Sequence, residues 1–567
     1  MENIYLIVIA LLALLCEITR RAFPQPYPKI PYHKVSSKRI WGDVPAMMKA
    51  IKISEDPSRF VFQQCRTLGS PVVQLFFGPF TKPAIFVDDV REVKDILSFR
   101  TREFDRSYKS QDTLRPMLRH SSLVKATGPE FKAQRKLWEG FMGMSFIRRV
   151  AAPEMHRVAL ELIELLRTKA KIAGGRPVYF FTDLDLAAFD IIWKVVFGND
   201  LNGVRGEHEG ILKGSGQIKQ PMSMDSVAEM PMVPKPEMYT TVCFVIKGIE
   251  QTFTTYFQRF NHWLVRHGSA YKRKWDSKQR IVDERINGEH ARLSKLSRSA
   301  LLDTEETSGV VLGVRRYLLA QEGDLGASKN IPSTTQQEIH NELMMLLMAG
   351  HETNASALSW AIKYLAAHPS KQARLHDSLL EGFSERVHGA QPTVDAILSR
   401  SIPYLDACME ETLRHATISS RLARVATMNT ELFGYRIPGG ASVMLSPYVG
   451  AAPFNVPEAH RSLSSQRTKD NYPLLHESSD MDVWELERWL ADDGSFDGRR
   501  YPRLAFSAGP RACYGKILAM QEFRIILALL VLNFEFAAAP GELASLAAHQ
   551  RILKVPRHCH VRLITRS

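Results

Sequence analysis

Ten residues near the carboxyl end, Phe506-Ser-Ala-Gly-Pro-Arg-Ala-Cys513-Tyr-Gly515, set one cysteine in a frame of aromatic, glycine and arginine. A thiolate that ligates a metal needs backbone N–H groups aimed at its sulfur and no side chain in the way, which Gly509 and Gly515 can supply. The apolar run Ile517 to Leu532 predicts a helix whose N-terminus lies near Cys513, where its dipole favours an anionic sulfur. Arg511, two residues before the cysteine, suits a carboxylate on a cofactor, and Phe506 can pack beside the sulfur and exclude water. These features together describe an axial thiolate for a haem iron, with Arg511 at a haem propionate. A lone cysteine is otherwise most often a small buried hydrophobe. The specified residue types at fixed offsets are what set Cys513 apart.

Three further groups can do chemistry. Ala349-Gly350-His351-Glu352-Thr353 lies in the middle of a long apolar run, where small residues would let a flat cofactor or O₂ reach the backbone and Glu352 and Thr353 could pass protons. The alternative is that Gly350 accommodates packing and Thr353 bonds back to a carbonyl. Glu411 and Arg414 fall three apart on one helix face, and Arg488 in Trp484-Glu-Leu-Glu-Arg488-Trp can complete a buried Glu–Arg–Arg network with them. Gly128-Pro-Glu-Phe131-Lys-Ala-Gln-Arg135-Lys136 is a basic helix start, from which Arg135 either meets a propionate or is a solvated charge.

These groups need elements to position them. A capping-box pattern at Thr335–Glu338, followed by apolar residues to Ala367, predicts one helix of about 32 residues, roughly 48 Å at 1.5 Å per residue. Helical period also covers 153–168, 240–266 and 372–384. Val72–Phe77, Ala84–Val87 and the region Tyr435–Leu445 predict strands. Region 203–239 carries Gly, Pro and five methionines without steady period, either a flexible lid or irregular surface packing.

Charge and composition exclude several classes. The 567 residues, 45% hydrophobic and 24% charged, describe an ordered globular body without repeats. Six cysteines (Cys16, Cys65, Cys243, Cys408, Cys513, Cys559) lack any Cys-x-x-Cys pair, which argues against a disulfide framework and a zinc site. The net charge of +14 is spread along the chain, so an acidic protein partner or an anionic membrane fits better than nucleic acid. Ile4 to Cys16 is unbroken apolar, short of the roughly 20 residues that span a bilayer. Positive charge on its carboxyl side, at Arg20, Arg21, Lys29 and Lys34, favours a signal anchor with the body in the cytoplasm over a cleaved signal peptide. The expected organisation is an anchor at 1–21, a proline-rich linker at 22–44 and one catalytic domain at 45–567.

Taken in order, Ala-Gly-x-Glu-Thr, Glu-x-x-Arg, Glu-Arg-Trp and Phe-x-x-Gly-x-Arg-x-Cys-x-Gly make the chain resemble a cytochrome P450, from about residue 40 to the end. Ile30-Pro-Tyr-His-Lys, Gly42-Asp-Val-Pro, Cys-Tyr-Gly-Lys and Asn533-Phe-Glu are similar to membrane-anchored fungal members that tailor secondary metabolites. The resemblance implies a mainly α fold with a small β subdomain, and haem b between a long central helix and the cysteine loop. It assigns Cys513 as axial ligand, Arg511, Arg135 and Arg424 to the propionates, Glu411, Arg414 and Arg488 to a structural triad, and Glu352 with Thr353 to oxygen activation.

By the same resemblance the chain is a monooxygenase. It would take NADPH electrons through a reductase, with cytochrome b5 as a further donor, and act at the endoplasmic reticulum membrane on a lipophilic terpenoid, alkaloid or polyketide. Met344, Met345 and Met348 would either line its pocket or pack in the core. Three positions depart from the pattern: Phe131 for a tryptophan, Leu486 for a proline and Asn354 for a second threonine. A haem-thiolate isomerase or lyase working without a reductase, and a noncatalytic haem sensor, are the competing classes.

Overall fold

A computed structural model describes residues 2–106, 114–115, 117–253, 258–321, 331–384, 390–449, 454–469, 481–550 and 552–566. The helices that bear on the site are α1 (Glu2–Ala22), α2 (Val90–Ser98), α3 (Pro129–Leu137), α4 (Ala152–Ala173), α5 (Phe181–Phe197), α6 (Gly203–Gly214), α7 (Glu237–Phe253), α8 (Ser333–Gly350), α9 (Glu352–Ala367), α10 (Pro369–Gly382), α11 (Pro403–Ala416) and α12 (Lys516–Asn533). Strands β1 (Val72–Leu75), β2 (Ala84–Val87), β3 (Phe104–Arg106), β4 (Leu422–Ala426) and β5 (Ser442–Leu445) form one sheet in the order β1-β2-β5-β4-β3. Within it only the β2–β5 pairing is parallel.

Helices α9 and α12 are buried on nearly all sides, which is why their sequences run apolar with little face preference. They pack against each other, and α12 also packs on α4 and α9 on α5, so the core lies between the long helices and the sheet sits to one side. The predicted helix at 517–532 extends one residue further at each end, and Ala84–Val87 forms as expected. Region 240–266 is two helices, Glu237–Phe253 and Gln258–His267. Tyr435–Leu445 is two short strands, Tyr435–Ile437 and Ser442–Leu445.

Three expectations are corrected. The long central helix is not continuous: α8 ends at Gly350 and α9 begins at Glu352, with His351 at φ −91° and ψ −60° between them. It also begins at Ser333 with no side-chain cap, so Thr335 lies inside the first turn and caps nothing. In region 203–239 the first twelve residues are helical, α6, which packs on α4; beyond it Met222 and Met232 are fully exposed while Met238 is buried.

Helix α1 carries exposed apolar residues on every side from Ile4 to Leu15. No helix among the described residues is long and apolar enough to cross a membrane, so the expected transmembrane span is not supported. The proline-rich stretch after α1 is tied to the body: Ile30 is buried, and the Gln74 amide donates to the carbonyls of Tyr27 and Ile30 at 2.8 Å each.

Candidate functional site

The loop before α12 is shaped around Cys513. Its backbone N–H donates to the Phe506 carbonyl at 2.8 Å, closing the turn. Gly509 holds φ +67°, and a Cβ there would lie 2.0 Å from the Leu97 carbonyl oxygen of α2, so no other residue fits. Gly515 is different. Its backbone is unstrained and an added Cβ would meet no protein atom within 4 Å, so its contribution is the N–H it turns toward the Cys513 sulfur.

Of the six cysteines, Cys65, Cys408 and Cys559 are buried and Cys243 half-buried, while Cys16 lies on α1. Cys513 is the one cysteine residue of the body classed as exposed, although protein packs around its thiol. Surrounding protein pushes its thiol up, and the Gly515 N–H, Arg135 and Lys516 pull it back down. Among the described residues no three His, Cys, Asp or Glu side chains gather as metal ligands.

Beside this loop four arginines converge. On adjacent strands Arg106 of β3 stands directly opposite Arg424 of β4, a like-charge pairing that is destabilising unless an anion joins it. Arg511 donates to Thr127 Oγ1 at 2.6 Å and to the Lys125 carbonyl at 2.5 Å, with its guanidinium 3.6 Å from the Phe131 ring centre. Arg135 stacks on Tyr514 at 4.0 Å, and the Tyr514 hydroxyl donates to the Arg135 carbonyl, joining α3 to the cysteine loop.

Burial first, and then the charge of Arg106, lowers both Arg424 and Arg511 to about 10. Burial likewise lowers Arg106 and Arg135. Two carboxylates lie close to them: Asp105, bonded to the Thr127 N–H and hydroxyl, and Glu342, whose charge acts on Arg135. The buried Nε of Arg106 has no partner among the described residues. Buried cations with an orphaned donor suit a group carrying two carboxylates, which the propionates of a haem provide. With the sulfur of Cys513 next to them, the residues present fit that cofactor. Arg106 escaped sequence reasoning because only strand pairing brings it to Arg424.

Glu411 is fully buried and receives four groups. Arg414 donates through Nε and Nη2 at 2.7 Å each, Arg488 through Nε at 3.1 Å, Trp489 through Nε1 at 2.9 Å and the Glu485 N–H at 2.8 Å. Burial alone would raise this carboxyl, but the hydrogen bonds and charges of the two arginines hold it below its ordinary value. Leu486, where a proline was expected, has φ −76°, within the range a proline imposes.

On the other side of the core, Ala349 is exposed although Leu347 and His351 around it are buried. Gly350 does not open the backbone to a cofactor. A Cβ there would strike Ile192 of α5 at 2.6 Å, so the glycine serves helix packing. The Thr353 hydroxyl donates back to the Ala349 carbonyl at 2.8 Å, and Glu352 is buried. Asn354 is buried against Glu522 of α12, a wholly buried carboxyl whose desolvation pushes it far up, and the amide bonds to it. Met344 and Met345 belong to the core, and Met348 is half-buried against it.

Three comparisons bear on these observations. The family model for cytochrome P450 matches residues 41–451 and 479–558. The cytochrome P450 monooxygenase xilC of Penicillium rubens is 31% identical over 545 residues, covering 94% of this chain and 91% of its own. The cytochrome P450 monooxygenase TRI13 of Fusarium sporotrichioides is 27% identical over 579 residues, 96% of each chain. Among solved structures, the haem domain of cytochrome P450DA superposes with a TM-score of 0.66 at 17% identity, over 96% of this chain and 99% of that one.

Proposed function

The chain belongs to the cytochrome P450 family, and on that premise we propose that it is a haem-thiolate monooxygenase that inserts one atom of O₂ into a lipophilic intermediate of fungal secondary metabolism, of the terpenoid, alkaloid or polyketide class. The observation that carries this reading is Cys513, held in its glycine-shaped loop beside four converging arginines. Haem b, when bound, supplies O₂ binding and reductive O–O cleavage, which an anionic sulfur favours. Cys513 gives that sulfur, and the Gly515 N–H with Arg135 and Lys516 stabilises its charge. Arg106, Arg135, Arg424 and Arg511 hold the propionates. Glu411, Arg414 and Arg488 tie α11 to the segment leading to the cysteine loop.

Thr353 and Glu352 then manage protons on the distal side. The Thr353 hydroxyl rests on the Ala349 carbonyl and must turn from it to donate elsewhere. Thr353→Ala is expected to leave a substrate-induced spin shift intact while several-fold more reducing equivalents emerge as peroxide. Substrate binding and turnover lost in equal measure, with coupling unchanged, would assign Thr353 to binding instead.

Electrons would come from NADPH through a flavoprotein reductase, with cytochrome b5 as a second donor. Lys132 and Lys136 lie one turn apart and exposed on α3, which Arg135 and Tyr514 fasten to the cysteine loop, and Lys516 is exposed at the start of α12. This basic face would steer an acidic partner, an effect screened over a Debye length of about 10 Å at 0.1 M salt. Reversing Lys132 and Lys136 to glutamate should slow first-electron transfer at low salt and leave the haem spectrum unchanged. Equal stopped-flow rates in variant and parent at both low and high salt would remove this dock.

Residues 1–21 would hold the body at the endoplasmic reticulum membrane, because the exposed apolar residues on every side of α1 from Ile4 to Leu15 need an apolar surrounding. Sedimentation with the membrane fraction tests that placement. The overall reading is tested by incubating microsomes containing the chain and a reductase with candidate intermediates. NADPH-dependent product formation supports it, and NADPH-independent product formation overturns it.

A further inference from the structure

The break between α8 and α9 is gripped by a network that no sequence motif announces. Asp185, Phe189 and Ile192 fall at positions i, i+4 and i+7 of α5, hence on one face, and all three meet residues 350–351. Asp185 Oδ1 lies 2.8 Å from His351 Nδ1. Its other oxygen accepts from the Tyr239 hydroxyl of α7 at 2.8 Å. The Phe189 ring fills the space between, edge-on to both the His351 and the Tyr239 rings at 5.2 Å. Ile192 occupies the place a Cβ of Gly350 would need. Asp185, His351 and Tyr239 are all buried, and His351 Nε2 has no hydrogen-bond partner among the described residues.

We propose that Asp185, oriented by Tyr239, is a positioning residue for Glu352 and Thr353: by holding the His351 imidazole it fixes the helix break that sets where the next two side chains stand. The geometry explains the break. A continuous apolar run would carry one helix through 351, but drawing the His351 ring onto α5 rotates the backbone there, and the Thr353 hydroxyl takes the Ala349 carbonyl on the other side of the break. The groups facing the imidazole are Asp185 and Phe189 from α5, Tyr239 and Cys243 from α7, which both adjoin Asp185, and Glu352 from α9. Burial alone would lower His351, but the charge and hydrogen bond of Asp185, with Glu352 behind them, raise it above its ordinary value.

This inference rests on the proton role given above to Glu352 and Thr353, and its test reads the break itself. Haem-loaded full-length parent, Asp185→Asn and Tyr239→Phe are compared by hydrogen-exchange mass spectrometry. Asparagine keeps the shape and a hydrogen bond but removes the charge. Asp185→Asn should speed exchange in peptides spanning 346–356 by about tenfold, the scale of one lost charged hydrogen bond, while peptides from α12 stay unchanged. Tyr239→Phe, a milder change that leaves the fold intact, should act in the same place and direction by about threefold.

In parallel, the solvent deuterium isotope effect on reductase-supported NADPH oxidation should rise in Asp185→Asn, which a purely structural tie would not cause. Exchange that rises evenly across the body, or that leaves 346–356 unmoved in both variants, would overturn the inference. A parent that oxidises no NADPH would defeat the monooxygenase reading, and the exchange data would still decide whether Asp185 holds the break.

Discussion

Cys513→His should abolish turnover and the red-shifted absorption band of the reduced carbon monoxide complex, while the protein still folds and still takes up haem. The site does two separate jobs. Uptake rests on the arginines, and Arg106, Arg135, Arg424 and Arg511 are untouched by the change. The band and the chemistry rest on an anionic sulfur, which a neutral imidazole nitrogen cannot replace. The loop backbone should survive, since it is closed by the Cys513 N–H on the Phe506 carbonyl and by Gly509 against Leu97, neither of which needs a sulfur. Extracted haem close to parental levels with no thiolate band is the expected result. A variant that keeps the band would show that another cysteine ligates the iron.

Glu411→Gln should be the most destabilising single substitution in the body. It leaves Arg414 and Arg488 as buried cations with no carboxylate between them, and removing one partner of such a network costs about 3–5 kcal/mol. Whole domains are stable by only about 5–15 kcal/mol, so the variant should accumulate poorly and lose haem on purification. The pH dependence has a definite sign. Because the folded-state value of Glu411 is depressed, its contribution is full at neutral pH, starts to fall only below the ordinary carboxylate value of 4.5, and is lost as pH drops through the depressed value. Thermal melts of parent and variant at neutral pH and below pH 4.5 check both points: an unchanged Tm in Glu411→Gln at neutral pH would mean that the network contributes nothing net.

The parts of this molecule legible in its sequence are those whose neighbours in space are neighbours in the chain. The cysteine loop compresses ligand, glycine turn and arginine into ten residues, and the Glu411–Arg414 pair is one helical turn. Helix α12 was legible as a long apolar run because it is buried on all sides. Arg106 was not, because its partner Arg424 is reached only through the pairing of β3 with β4. The break at His351 was hidden for the same reason: residues 335–367 read as one apolar helix, and the interruption comes from Asp185 and Ile192 of a helix far upstream. For Gly350 the sequence left open both an approach toward a cofactor and a packing accommodation, and only the tertiary contact with Ile192 favours packing. Helix α6 went unread because its four buried residues, Gly203, Val204, Glu207 and Ile211, include only two large apolar side chains, too few to show a period.

Whether this chain transfers an oxygen atom from O₂ with electrons from NADPH is decided by isotope labelling. Membranes containing the chain and a reductase are supplied with NADPH, candidate lipophilic intermediates and ¹⁸O₂, and products are weighed by mass spectrometry. The expected product carries one ¹⁸O atom from the gas and none from labelled water, and no product forms when NADPH is withheld. A product that forms without NADPH, or that carries no oxygen from O₂, would contradict this expectation and place the chain with the haem-thiolate isomerases and lyases.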